Sequence, residues 1–368
     1  MAQAFQGIPA RPAPARPAGA RIWMRRNLFA DWKDALATLT VLAVLLHYLP
    51  GIFEWAVLNA VGRPDNEACR AMQHTGACWG VIAEKHRAIL FGRYPFAEQW
   101  RPLVATLLLL ALLVGSCLRP LWGRALVVAW VAGLVGAFML MRGGLFGLEA
   151  VDTARWGGLP LTLLLSTLGI AVAFPLAILL ALGRRSELPA IRALCVGYIE
   201  LVRGVPLISV LFMASFMFPL FLPPGLTIDV LLRVLAGIGL FAAAYLAEVV
   251  RGGLQAIPRG QLEAAAALGL SYWQIQRKIA LPQALRAVVP ALMNSFISTF
   301  KDTSLVTIVS LYELTGSLSL ALSGDAVWRP FYLEGYLFVA AIYWCACFAM
   351  SRYSLWVERR LNRGGRRM

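Results

Sequence analysis

The sequence predicts an all-α integral membrane protein with about eight transmembrane helices. Three observations carry that reading. Apolar residues fill 60% of 368 positions and charged residues only 14%, with a mean hydropathy of +0.69. A soluble domain carries roughly 45–50% apolar and about 25% charged residues. Apolar runs near the ~20 residues needed to cross a hydrocarbon core recur along the chain. The net charge of +15 lies mostly on Lys and Arg that flank those runs, without clustered stacking aromatics. The charge is therefore topological, and nucleic acid is excluded as a partner.

Residues 1–33 form an Ala/Pro/Arg tail that cannot bury a core. The apolar run behind it exceeds the roughly 7–15 residues of a signal-peptide core and reads as a span. Eight spans follow in order, at 35–56, 103–118, 123–141, 159–183, 193–222, 230–252, 287–310 and 331–353. The fifth is long and interrupted by Pro206 and Pro219. A hydrophilic loop, 57–102, separates the first two, and a basic tail, 357–368, closes the chain. With both termini inside, 22 of the 34 Lys/Arg lie on the inner side and 10 on the outer. The positive-inside rule selects that orientation over its reverse.

Between 263 and 282 the chain reads Glu-Ala-Ala-Ala-Ala-Leu-Gly-Leu-Ser-Tyr-Trp-Gln-Ile-Gln-Arg-Lys-Ile-Ala-Leu-Pro, a polar island between two spans. Gly260 can cap a helix whose third residue is Glu263, an acid near the positive end of the dipole. Ala264 to Ala267 favour the helix. Gly269 can take the left-handed conformation that ends it. Ser271 and Gln274 form a capping-box start for a second helix, and Pro282 is expected to stop that one. The prediction is a helix–turn–helix lying along the membrane surface.

The spacing Glu263-Ala264-Ala265, three residues, Gly269, nine residues, Ile279, one residue, Leu281-Pro282 resembles the EAA loop of importer-type ABC permeases. Three flanking segments resemble the permeases for polar amino acids, the histidine/glutamate/arginine/opine group. They are Ile199-Glu-Leu-Val-Arg-Gly-Val-Pro-Leu207, Tyr245-Leu-Ala-Glu-Val-Val-Arg-Gly-Gly-Leu-Gln-Ala-Ile-Pro-Arg-Gly-Gln261 and Phe300-Lys-Asp-Thr-Ser-Leu305. The resemblance runs from about 156 to 356. It implies a type I importer permease domain there, preceded by a three-span extension at 34–155. By its layout the extension resembles the M subunit of general L-amino-acid importers.

The resemblance implies a subunit of the bacterial inner membrane, with cytoplasmic termini, that imports L-amino acids by alternating access. The 263–282 loop would be the coupling helix seated in a groove of a separate ABC ATPase, present in two copies. Glu263 would offer the ATPase a carboxylate, Ala265 and Gly269 would allow close approach, and Ile279 and Leu281 would anchor the loop. A second, homologous permease subunit, a periplasmic amino-acid-binding protein and membrane lipid complete the implied partners. No cofactor and no catalytic residue are expected. The chain has no Gly-Lys pair, hence no phosphate-binding P-loop of its own. An ion-coupled secondary transporter is the alternative. It calls for inverted repeats with broken helices in matching places, and the sequence has no such symmetry.

Ionisable residues inside spans mark function by default. Glu200 and Arg203 are three apart and share a helix face. Lys301 and Asp302 lie roughly 22 Å beyond Arg286 at 1.5 Å per residue, in the outer half of the bilayer. Asp302 can meet an α-ammonium, while Lys301 or the hydroxyls of Thr303 and Ser304 meet an α-carboxylate. Each charged pair also has a bland reading, as an internal salt bridge that fixes helix register. Cys69 and Cys78 sit in the external loop, where a disulfide is allowed; two free thiols are the other reading. The three His residues, 47, 74 and 86, have no metal-ligand spacing.

Overall fold

The structure, a computed structural model, describes residues 19–144 and 147–362, apart from the side chains of residues 119, 361 and 362. Most of the expected N-terminal tail and the end of the C-terminal one lie outside these residues. Contacts divide the chain into two units, Met1–Cys78 and Trp79–Met368.

In the first unit, α1 (Ala20–Asn27) precedes α2 (Trp32–Phe53), whose N-cap is Asp31. A π-turn, Glu54–Leu58, prolongs α2. α3 (Asn66–Ala71) is capped by Asp65, which accepts from the N–H groups of Glu67 and Ala68. Cys69 and Cys78 are joined as a disulfide with Cα atoms 5.3 Å apart, both buried. Beside it the Val61 N–H donates to the Ala77 carbonyl at 2.8 Å.

The second unit begins with α4 (Gly80–Phe91), α5 (Trp100–Cys117) and α6 (Arg124–Arg142). Arg101, fully buried, donates to the carbonyls of Leu140 and Glu149 at 2.7 and 2.8 Å. It thereby fixes the C-terminal end of α6, where a cation suits the negative end of the dipole. There follow α7 (Gly158–Arg184), α8 (Pro189–Gly204), α9 (Leu207–Phe212) and, after a π-turn and a 3-10 turn, α10 (Val230–Gln255). A hairpin follows, made of α11 (Arg259–Ala267), α12 (Tyr272–Ile275), a π-turn Gln276–Ala280 and α13 (Leu281–Ala287). α14 (Val289–Asp302) continues as a 3-10 turn, Thr303–Val309. A two-residue strand, β1 (Tyr312–Glu313), leads into α15 (Leu314–Ser323) and the long α16 (Tyr332–Asn362). β1 pairs in parallel with Gly157 and Gly158.

The core centres on α7 against α10, and the sequence explains why these two pair closely. Gly169, Ala173, Ala177 and Ala181 recur every four residues on α7, as do Gly239, Ala243 and Ala247 on α10. Small residues at that spacing let backbones approach where no hydrophobic effect drives helices together in lipid. The three alanines of α7 and Ala243 and Ala247 are fully buried. The Cβ that Gly169 lacks would stand 3.0 Å from the Ile238 side chain.

Among the described residues, six helices are long and apolar enough to cross a membrane: 32–58, 96–117, 124–142, 158–184, 230–255 and 329–360. The expected fifth span differs from a single rod, because α8 and the 207–221 stretch are bent by 105°. Pro206 explains the bend. It lacks an N–H and drives the preceding Val205 to extended geometry, φ −110 and ψ 138. The expected seventh span is α14 with its 3-10 continuation, a helix that tightens after Asp302 rather than running straight to 310.

Candidate functional site

The 259–287 hairpin is built much as its residues dictate. α11 ends at Ala267 with Leu268 as its C-cap, and Gly269 follows with φ +74. The Leu270 N–H donates to the Ala265 carbonyl at 3.2 Å and the Gly269 N–H to that of Ala266 at 2.9 Å. These are the two bonds of a Schellman turn. The Ser271–Gln274 capping box is formed, with the Ser271 N–H donating to Gln274 Oε1 at 2.9 Å.

Three details depart from the sequence expectation. α11 starts at Arg259 behind Pro258, so Gly260 is inside the helix and Glu263 falls on its second turn. Pro282 does not end the second helix; chain helicity continues to Ala287. The preceding π-turn, Gln276–Ala280, widens the backbone ahead of the proline ring and absorbs its missing bond. Ala265 is buried within the chain, so its small side chain serves internal packing rather than a partner. Glu263, Ala264, Gly269 and Pro282 are exposed, while Ile279 and Leu281 are half-buried. Leu281 packs, with Leu285 and Val288, on the cluster around Ala173, Ala177 and Ala284. Outward, the hairpin presents Leu268, 82% exposed, with Tyr272 and Trp273.

A second feature lies deeper. A pocket of about 450 Å³ is lined by Leu207, by Phe241, Ala242 and Tyr245 of α10, and by Asn294, Ser295, Ser298, Thr299 and Asp302 of α14. Small-molecule sites typically have volumes of roughly 300–1,000 Å³. Asp302 is thus a wall of a polar-lined cavity. Lys301 is exposed and Ser304 half-buried, and neither lines the pocket. Thr303 is buried, and its hydroxyl donates to the Phe300 carbonyl at 2.7 Å, which engages it locally. The expected company of Asp302 is therefore corrected: Asn294, Ser295, Ser298 and Thr299 stand in the lining. Their signal was legible, since 294, 298 and 302 repeat at four residues and 295 and 299 lie beside them.

Glu200 and Arg203 do not make the expected pair with each other. Glu200 receives Arg184 from the end of α7 at 2.9 Å, and Arg203 points to Glu248 of α10 at 3.9 Å. The Tyr245 ring draws Arg203 away from Glu200, with the guanidinium 5.6 Å from its centroid. Glu248 was not singled out from sequence, nor was Glu313. The latter, fully buried, accepts from Tyr343 at 2.7 Å, Thr162 at 3.2 Å and the N–H groups of Thr315 and Gly316.

Residues 173–363 match the family described as binding-protein-dependent transport system inner membrane component. The chain is 45% identical over 374 residues to the inner membrane amino-acid ABC transporter permease protein YhdY of Escherichia coli, covering 99% of both chains. It is 38% identical over 420 residues to the glutamate/glutamine/aspartate/asparagine transport system permease protein BztC of Rhodobacter capsulatus, covering 97% of each. Among solved structures it is similar to one described as an amino acid ABC transporter with histidines, at 31% identity and a TM-score of 0.49. That match covers 55% of this chain and 92% of the other.

Proposed function

Because the chain belongs to the family of binding-protein-dependent transport system inner membrane components, we propose that it imports L-amino acids as one permease subunit of an ATP-driven complex. The two full-length relatives are themselves amino-acid permeases by description, one of them for acidic amino acids and their amides. ATP hydrolysis belongs to a partner ATPase. The observation that carries the reading is the 259–287 hairpin, which turns Glu263, Leu268, Gly269, Tyr272 and Trp273 outward. Exposed apolar residues rimmed by polar ones mark a protein interface.

In the proposed cycle, two ATPase copies close on ATP and carry the hairpins of this chain and a second permease subunit with them. The permease bundles rock open to the outside, where a periplasmic binding protein delivers the solute. Asp302 receives the α-ammonium, and the hydroxyls and amide of α14 receive the remaining polar groups. With one carboxylate in the lining, the pocket suits the part that all amino acids share. The termini face the cytoplasm, an orientation supported by the 22-to-10 distribution of Lys and Arg.

The test is uptake into proteoliposomes that contain the complete complex. A mixture of radiolabelled L-amino acids should enter only with both ATP and the binding protein present. Uptake driven by a proton or sodium gradient without the ATPase would contradict the proposal and favour a secondary transporter.

A further inference from the structure

Glu248 lies inside a span and gathers more charge than any residue of the proposed path. Its side chain, 16% exposed, receives Arg184 from α7 at 2.7 Å and Arg251, one turn along α10, at 2.8 Å. Arg203, on the last turn of α8, stands 3.9 Å away. Arg184 is shared with Glu200. Three helices therefore meet on one carboxylate, within three arginines and two glutamates.

The position of this cluster is more informative than its strength. On one side Arg203 immediately precedes the 105° bend between α8 and the 207–221 stretch. Its guanidinium lies over the Tyr245 ring, and the Tyr245 hydroxyl donates to the Arg203 carbonyl at 3.4 Å. Tyr245 and Leu207, on either side of that contact, both line the pocket. On the other side α10 runs from Glu248 into the hairpin with only three residues, Ala256 to Pro258, between helices. Arg185 donates to the Leu254 carbonyl at 3.0 Å, and Gly253 packs on the Ala284 carbonyl of α13, so the inner end of α10 and the hairpin move as neighbours.

We propose that Glu248 is a positioning residue of the transport cycle, an electrostatic hub that ties the pocket wall at Tyr245 and Leu207, through Arg203 behind it, to the hairpin. Displacement of the hairpin shifts the inner end of α10, and the hub carries that shift to the bend that bounds the pocket. Several arginines around one acid suit a switching joint, because the carboxylate can trade one guanidinium for another without being left unpaired. The inference rests on the transport function proposed above.

The test compares wild type, Glu248→Gln and Arg203→Gln in proteoliposomes with the ATPase subunit and binding protein. Assembly, basal ATP hydrolysis, binding of the radiolabelled L-amino-acid mixture, solute-stimulated hydrolysis and uptake are each measured. Both variants should assemble and keep basal hydrolysis and solute affinity within about threefold of wild type. Stimulated hydrolysis and uptake should fall together by at least tenfold, and Glu248→Asp should recover part of the loss. Arg203→Gln leaves Glu248 its two nearer arginines, so it remains decisive if Glu248→Gln fails to assemble. Normal stimulation and uptake in Arg203→Gln overturns the hub. Wild type without solute stimulation overturns the transport reading itself, and the hub with it.

Discussion

The Gly158 N–H donates to the Ser317 hydroxyl at 2.9 Å, across 159 residues of chain. Ser317 in turn donates to the Tyr312 carbonyl at 2.6 Å, so one serine pins the start of α7 to β1 and α15. Gly158 has φ +65, and a Cβ there would collide with the Leu90 carbonyl at the end of α4. The end of α4 is thus fitted onto the start of α7 by a contact that only glycine permits. Gly158→Ala should cost roughly 1–2 kcal/mol for the left-handed backbone and about 1–3 kcal/mol more for overpacking. Thermal unfolding in detergent measures it against Gly252→Ala, where a Cβ meets nothing within 4 Å. Equal midpoints for the two variants would contradict this packing.

A second fastening of the same segment is electrostatic. Lys85 Nζ lies 2.7 Å from Asp325 Oδ2, and the hydrogen bond from Lys85 holds the Asp325 carboxyl below its ordinary value of 3.8. A carboxylate that ionises more readily when folded adds stability above that ordinary value and loses it as pH falls through the lowered one. Exposed pairs are worth about 0.2–1 kcal/mol. Lys85→Gln should therefore lower the unfolding midpoint slightly at pH 7, by less once the pH falls below 3.8, and not at all where Asp325 is protonated in the folded protein as well. A difference that persists undiminished at pH 3 would rule the pair out as its source.

Asp302→Asn should reduce uptake of every amino acid together, by about tenfold, with the complex still assembled. A good charge-assisted hydrogen bond is worth roughly 1.5–3 kcal/mol, which sets that scale. Failure of the complex to assemble would instead assign Asp302 a structural role. A shift only in the preference between acidic and basic solutes would move it to the side-chain end of the pocket.

The orientation is checked with an impermeant maleimide on single-cysteine proteins lacking the other free cysteines. Gln73→Cys and Gln261→Cys, both at exposed positions, should label from opposite sides of the membrane, Gln73→Cys from outside. Labelling of both from one side would refute the proposed topology.

The hairpin was legible because its signals are local: Gly269 for the left-handed turn, Ser271 and Gln274 for the cap. Pro282 misled because its effect depends on the π-turn before it, which no single residue announces. Six of the eight expected spans were readable from apolar runs, and the bend of the fifth from Pro206, while the seventh is a shorter helix that tightens after Asp302. What stayed hidden depends on partners far apart in sequence. Glu248 looked like one residue of a matching motif until Arg184, 64 positions earlier, arrived beside it. Glu200 and Arg203 shared a face, yet each found a better-placed partner on another helix. Glu313 gave no periodic signal, since its worth lies in capping α15 while receiving Thr162 and Tyr343.

The central claim, that the Arg259–Ala287 hairpin couples this chain to an ATPase, is tested most directly at Gly269. The residue is exposed, has φ +74, and has no atom within 4 Å of an added Cβ. A side chain there costs roughly 1–2 kcal/mol in backbone strain but meets nothing within the chain, so its bulk acts on whatever docks outside. Solute-stimulated ATP hydrolysis by the reconstituted complex is the measurement. Gly269→Arg should insert and fold like wild type while losing that stimulation. Full stimulation in Gly269→Arg would contradict the coupling role of the hairpin.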